Sequence, residues 1–335
     1  MERIVLAHGG GGEMTARLVR ERIAPMLSNP ILDRFEDSAI VPWRGGDVIF
    51  TTDSFVVSPL EFPGGDIGRI AVAGTVNDLA VMGARPIALS LGMIIEEGLP
   101  IAVLDRIIAS IAATAAEAGV RIVTGDTKVL ERRSGDGMYI NTSGLGELTP
   151  ERPKLAADQV CPGDAVIVNG PIAEHGLAIM SLRAGMEFDS HMRSDAAPLN
   201  RLIGRVLECG ATVRFMRDAT RGGLAGVLAD VSEASGASII VDESDIPITP
   251  TAQRAADLLG LDPLTIANEG KVVCFVPMEE AALVVSAMRM WPEGRHAAVI
   301  GRVTDEHPAL VELITRSGGR RIVQRPYGEE LPRIC

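Results

Sequence analysis

The stretch GGDVIFTTDSF (residues 45–55) runs from a Gly-Asp turn through a β-branched, aromatic strand and closes on an aspartate. PGDAVIVNGPI (residues 162–172) repeats that plan, with a Gly-Asp turn, an apolar strand and then polar residues. The repeat is single and weak, which speaks for two related α+β halves rather than a solenoid. Around the first copy, RIAVAGTVNDLAVMGA reads as a helix rich in small residues, PIALSLGMIIEEG as a strand and RIVTGDTKVL as a strand entering a polar loop. Between the last two, PIAVLDRIIASIAATAAEAGV is a clear helix, with Leu104, Ile107, Ile108 and Ile111 at helical spacing and Gly119 as its stop. EMTARLVRERIAPML, near the start, reads as an amphipathic helix.

The second copy opens a similar series. DATRGGLAGVLADVSEASGASIIV follows the helix-then-strand order, and MEEAALVVSAMRM is a helix between the strands GKVVCFVP and AAVIGRVT. A Pro-rich polar stretch, TPERPKLAADQVCPG, separates the halves. The expected division is residues 1–150, residues 151–325 and a flexible tail, 326–335, without an apolar pattern.

The 335 residues suit two domains of roughly 150 each. Hydrophobic residues make up 47% and aromatics only 3%, so aliphatic side chains must fill the core. The net charge of −12 and the lack of a basic cluster argue against a nucleic-acid partner. The four cysteines form no CxxC pair, and no signal peptide or apolar span of ~20 residues is evident. A reducing cytoplasm with free thiols is the expectation.

Several groups could carry chemistry. Gly9, Gly10, Gly11 and Gly12 in AHGGGGEM let backbone N–H groups approach an anion, though they fit neither the Walker nor the Rossmann pattern and are equally readable as a flexible loop. His8 either faces that loop's ligand or is structural. Asp53, Asp78, Asp126 and Asp218 sit at strand or helix ends, with Asp37 a further candidate. Singly, each reads as a cap or turn residue; together, they read as oxygen ligands for Mg2+. Lys128 and Arg221 are cations in acid-bearing loops, suited to phosphate or to a surface ion pair. Glu269 in ANEGK is a general base or a turn residue. Cys335 ends the chain, as an accidental terminus or as a carrier thiol on a tether.

Taken in order, LAHGGGGEM, TTDSFVVSPLEFPGGDIG, GTVNDLAVMGARP, VTGDTKV, INTSGLG, RDATRGGL, ANEGKV and the terminal PRIC closely resemble the HypE family of hydrogenase maturation factors. The match runs from about residue 4 to the last residue. The internal motifs resemble more loosely the wider superfamily of aminoimidazole-ribonucleotide synthetases, formylglycinamidine synthases and selenophosphate synthetases; PRIC separates HypE from these.

The resemblance implies a PurM-like α/β architecture, in which an N-terminal domain dimerises through its sheet into a barrel and a C-terminal α/β domain covers a nucleotide. It implies carbamoyl dehydration: a HypF-type carbamoyltransferase loads Cys335, ATP drives conversion to a thiocyanate, and a HypC–HypD complex takes the cyanide for the iron of a [NiFe]-hydrogenase. Cys335, Lys128 and Glu269 would be catalytic. Gly9 to Gly12, Asp53, Asn77, Asp78, Asp126, Thr127, Asp218 and Arg221 would hold ATP, with Mg2+ on Asp53, Asp78, Asp126 and Asp37. The tail would alternate between outward and inward poses about a hinge at residues 328–332, and Arg333 would pair near the terminus or with a partner. The homodimer follows from the resemblance and from no periodicity. A sister synthetase would keep the nucleotide motifs but has no use for a terminal cysteine. A docking scaffold would bind nucleotide without turnover.

Overall fold

The computed structural model describes residues 12–23, 32–34, 38–43, 46–148, 155–185, 192–327 and 334–335. Gly9 to Gly11, His8, Asp37, Arg333 and the expected hinge lie outside them. The first half comprises α1 (Glu13–Leu18), β1 (Ala39–Trp43), β2 (Gly46–Phe55), β3 (Glu61–Phe62), β4 (Gly65–Asp66), α2 (Ile67–Val81), β5 (Arg85–Glu96), α3 (Ile101–Ala118), β6 (Arg121–Leu130) and β7 (Met138–Leu148). Its sheet runs β1-β2-β7-β5-β6. The pairings are antiparallel except β5 with β6, which α3 connects. The helix expected from EMTARLVRERIAPML is α-helical only to Leu18 and then widens into a π-turn, Val19–Ile23.

Helix α2 starts where the Asp66 carboxylate accepts the Arg69 N–H at 2.9 Å. It is buried on nearly every side, which its Ala and Gly content permits. Close packing is also required from the sheet: a Cβ on Gly144 would come within 2.8 Å of Thr75. In α3, Ile107 and Ile111 are buried as their spacing predicts, Ile108 is 38% exposed, and Gly119 closes the helix at φ 74°.

Strand alternation decides which residues face these helices. Along β7, Met138, Ile140, Thr142, Gly144, Gly146 and Leu148 are buried, while Asn141, Leu145 and Glu147 are exposed. The second face of the sheet is therefore uncovered in one chain. It presents Phe50, Leu145 and Ile94, and apolar Val123 and Val129 are exposed on the edge strand β6.

The second half comprises β8 (Asp164–Val168), α4 (Glu174–Arg183), α5 (Asn200–Glu208), β9 (Phe215–Asp218), α6 (Gly223–Ser235), β10 (Ser238–Asp242), α7 (Pro250–Leu259), β11 (Val272–Pro277), α8 (Ala281–Arg289), β12 (Ala298–Thr304), β13 (Val311–Ile314) and β14 (Arg320–Ile322). The sheet order is β14-β13-β10-β12-β8-β11-β9. Here both faces are covered. In β8, Val166 and Val168 enter one core cluster, and Ala165 and Ile167 enter another. That double burial is why β8 and β11 read as unbroken apolar runs.

The two halves interlock. Helix α1 comes early in the chain yet binds the second half: the N–H groups of Glu13 and Met14 donate to the carbonyls of Pro326 and Tyr327 at 2.9 and 3.1 Å. Arg20 pairs with Glu233, and Arg325 bonds Glu13 and Asp230. Residues 192–199 reach back to the first half. There, the Ser194 N–H donates to Pro63 O at 2.7 Å, and Asn77 spans Ala197 O and Leu199 N at 3.1 and 2.7 Å. Helix α4 places Leu177 and Ala178 in the second core and Ile179 in the first.

Candidate active site

The acids of β2 and α2 meet where the halves join. Asp53 pairs in register with Thr142, whose buried hydroxyl donates to Ala71 O at 3.1 Å, so Asp53 faces the helices. Asp78, on α2, accepts from the Thr51 hydroxyl at 2.8 Å. From the other half, Asp218 ends β9 and is buried. The loop after it carries Arg221, whose Nη2 reaches Asp53 Oδ1 at 2.9 Å across the join. Desolvation opposes the charge on Arg221, but Asp53, Asp78, Cys335 and Asp218 outweigh it and hold the guanidinium protonated.

ANEGK, residues 267–271, forms the floor. Asn268 fastens it, accepting from Ala173 N–H at 2.7 Å and donating to Ile266 O at 2.9 Å and Ala219 O at 3.2 Å. Glu269 is 2% exposed. Gly270 has no room for a side chain, since a Cβ would lie 2.0 Å from Asp195 O. Asp195 accepts from the backbone N–H groups of Glu269 and Gly270 at 3.1 and 3.2 Å and from Lys271 Nζ at 2.8 Å. The Asp195 carboxyl lies below its ordinary range: burial opposes this, but Lys271 and the Glu269 N–H outweigh it.

Glu269 is the opposite case. Burial first, then the charges of Asp218, Asp195 and Asp53, push its carboxyl well above the usual carboxylate range. Its Oε2 is buried and has no hydrogen-bond partner among the described residues. A cluster of oxygen donors with surplus negative charge fits a hard divalent cation, which needs only one or two carboxylates when phosphate oxygens complete its shell. Asp53, Asp78 and Asp218 are the residues that would hold it.

Asp126 and Lys128 stand elsewhere in one chain. Asp126 is in register with Gly92, and Gly92 with Asn141, an open-face residue; Lys128 is in register with Ile94. Both therefore lie on the uncovered face, opposite to Asp53. They pair with each other at 3.1 Å beside a depression of about 360 Å³ that Ser54, Tyr139 and Asn141 also line. A hydrogen bond from Lys128, then one from the Thr127 backbone, lowers the Asp126 carboxyl. Asp126 thus stands apart from Asp53 and Asp78; among the described residues the three-ligand group within 4.8 Å is Glu306, His307 and Glu312, so Asp53, Asp78 and Asp218 also stand wider apart than that. Thr127 lies between Asp126 and Lys128 and is exposed. Gly12 precedes α1, and Asn77 spends its amide on the inter-half clamp.

The end of the chain is held in the join. Ile334 is 3% exposed and belongs to the core cluster of the first half. The Ile334 carbonyl lies 2.9 Å from His175 Nε2, and Cys335 is half-buried and acts electrostatically on Arg221. The expectation of a tail without partners thus fails at its tip, which adopts the inward pose. One apolar side chain suffices for this and leaves no periodicity to read. The other cysteines are unpaired, and burial pushes the Cys274 thiol far up.

His175, Ser194, Asp195 and Lys271 escape the reading of the sequence. GPIAEHGLA and MRSDAAP look like ordinary loops, and only the fold brings them together.

Known proteins are similar to this chain along its length. The family descriptions AIR synthase related protein, N-terminal domain and C-terminal domain match residues 35–148 and 161–312. The carbamoyl dehydratase HypE of Rhodobacter capsulatus is 47% identical over 100% of this chain and 98% of its own length. HypE in a crystallised HypE–HypF complex superposes with a TM-score of 0.87 at 43% identity, covering 92% of this chain and 99% of that one. A HypE crystallised with ATP gives 0.83 at 42% identity, covering 99% and 100%.

Proposed function

This chain belongs to the carbamoyl dehydratase HypE family, and from that premise we propose that it converts a carbamoyl group on the sulfur of Cys335 into a thiocyanate. R–S–C(=O)NH2 and ATP give R–S–C≡N, ADP and phosphate. The C–O bond breaks, the oxygen leaves on phosphate, and the nitrogen loses two protons. A carbamoyltransferase of the HypF type loads the sulfur. A HypC–HypD complex accepts the cyanide for a [NiFe]-hydrogenase in the cytoplasm. The observation that carries this reading is the burial of Ile334, which brings Cys335 to Arg221 and the acidic cleft.

ATP supplies the phosphoryl group that makes the amide oxygen a leaving group, and Mg2+ spreads the charge that develops. Asp53, Asp78 and Asp218 would hold the cation. Arg221, released from Asp53, receives phosphate oxygens. Gly9 to Gly12 offer backbone N–H groups to the nucleotide. Glu269, once ionised, takes an N–H proton; its buried setting makes it a stronger base than an exposed carboxylate. Asn77 fixes the join on which the site depends.

Asp126 and Lys128 act from a second copy. The uncovered face, with Phe50, Leu145 and Ile94, is too apolar for open water, and pairing it across a twofold axis covers it. The pairing turns Asp126 and Lys128 toward a neighbouring cleft, where they serve the cation and the deprotonation. Replacing Ile94 and Leu145 by Glu is expected to convert a dimer into a monomer in sedimentation velocity. A variant that still sediments as a dimer would show that another surface pairs.

Intact-protein mass spectrometry tests the reaction. With carbamoyl phosphate, ATP, Mg2+ and the HypF-type enzyme, the wild type is expected to gain a carbamoyl group and then lose the mass of one water. Cys335→Ala is expected to show neither change. ATP hydrolysis without any adduct on Cys335 would point to a small-molecule synthetase of the same fold.

A further inference from the structure

We infer that His175 and Ser194 form a latch that positions the tail for the reaction, an inference that rests on the function proposed above. The Ile334 carbonyl can only accept, so His175 Nε2 carries the hydrogen and donates to it at 2.9 Å. His175 Nδ1 is then the acceptor, and the Ser194 hydroxyl donates to it at 2.8 Å. Ser194 Oγ in turn accepts the Ala196 N–H at 3.1 Å. The chain of donors therefore runs Ala196, Ser194, His175, Ile334, each fixing the orientation of the next.

The ring cannot turn away. It is fully buried, and Phe62 meets it edge-on at 5.5 Å between centroids. Burial lowers its tendency to protonate, and the field of Asp195 and the Ile334 carbonyl does not reverse that, so the neutral tautomer is retained. The surrounding elements are joined to both halves: Ser194 is bonded to Pro63 in the first, and Gly176 N–H donates to Ala267 O beside ANEGK in the second. A tail bonded to His175 is thereby set relative to Glu269 and to Asp53 at once.

When the tail leaves to be loaded, the Nε2–H loses its partner and the Ile334 socket loses its side chain. Both losses pull the tail back. His175 and Ser194 act through the Ile334 carbonyl, so they position the tail rather than catalyse.

The test measures the alkylation rate of Cys335 by iodoacetamide, followed by peptide mass spectrometry. Single-turnover dehydration, ATP affinity and thermal midpoint are measured alongside. His175→Leu is expected to raise alkylation of Cys335 about tenfold and to slow dehydration by a similar factor, with ATP affinity unchanged. His175→Gln, whose amide can still donate to the Ile334 carbonyl, is expected to restore most of both. Should His175→Leu fail to fold, Ser194→Ala is expected to give a roughly threefold change in the same direction. Unchanged alkylation in a folded His175→Leu or Ser194→Ala protein would overturn the latch, as would Gln behaving like Leu. If the wild type shows no dehydration but the alkylation contrast holds, the latch stands and the proposed reaction falls.

Discussion

Glu269→Gln is expected to lower the single-turnover dehydration rate by about 10²–10⁴-fold, the usual range for removing a positioned general base. Carbamoyl loading on Cys335 and nucleotide binding should stay near wild type. The substitution is a mild one for the fold. Burial and the neighbouring acids disfavour the charge on Glu269, so an uncharged amide of the same size suits the site. The pH profile carries a second signature. An acid with a raised pKa is inactive as a base at low pH and gains activity as pH climbs through that value, so the wild-type rate should rise with pH. The variant should lose that ascending limb. A rate within threefold of wild type, with the limb intact, would remove Glu269 from the chemistry.

The largest effect on stability is expected from Asp195→Ala. Asp195 and Lys271 side chains are 3% and 6% exposed. Deleting the carboxylate leaves an ammonium group and the N–H groups of Glu269 and Gly270 buried without their acceptor. Breaking a buried pair from one side costs about 3–5 kcal/mol. For domains of this size that lowers the thermal midpoint by roughly 10 °C. Asp195→Ala combined with Lys271→Met is expected to recover most of the loss, because no buried charge then remains. Differential scanning calorimetry on the two variants checks this. A single variant as stable as the wild type would mean that water reaches Lys271.

Much of the fold is legible in local pattern. Ile107, Ile111 and Gly119 define α3 by period and stop signal, and the Gly-Asp turns mark the starts of β2 and β8. Part of the site is legible as well: Asp53 within β2, Asp78 within α2, Asp218 at the end of β9, Arg221 after it and Glu269 before β11 are carried to the join by elements whose apolar pattern fixes their place. Asp126 looks the same in sequence as Asp53. Strand alternation puts it on the other face of the sheet, a difference that depends on register and on the irregularities between Leu89 and Ser90 and between Pro86 and Ala88. His175 and Ser194 leave no local trace, since their partners lie up to 159 residues away. The same is true of Asp195, which stands 76 residues from Lys271.

The grip of α1 on Pro326 and Tyr327 has a geometric consequence. Those two backbone bonds, with Arg325 clamped to Glu13 and Asp230, make Tyr327 a fixed pivot. The sulfur-bearing position lies eight Cα steps further on, so a fully extended leash spans about 27 Å. Every catalyst or acceptor that meets Cys335 must bring its reactive centre inside a sphere of that radius about Tyr327. The first helix of the chain thus sets the docking distance for partners that engage its last residue.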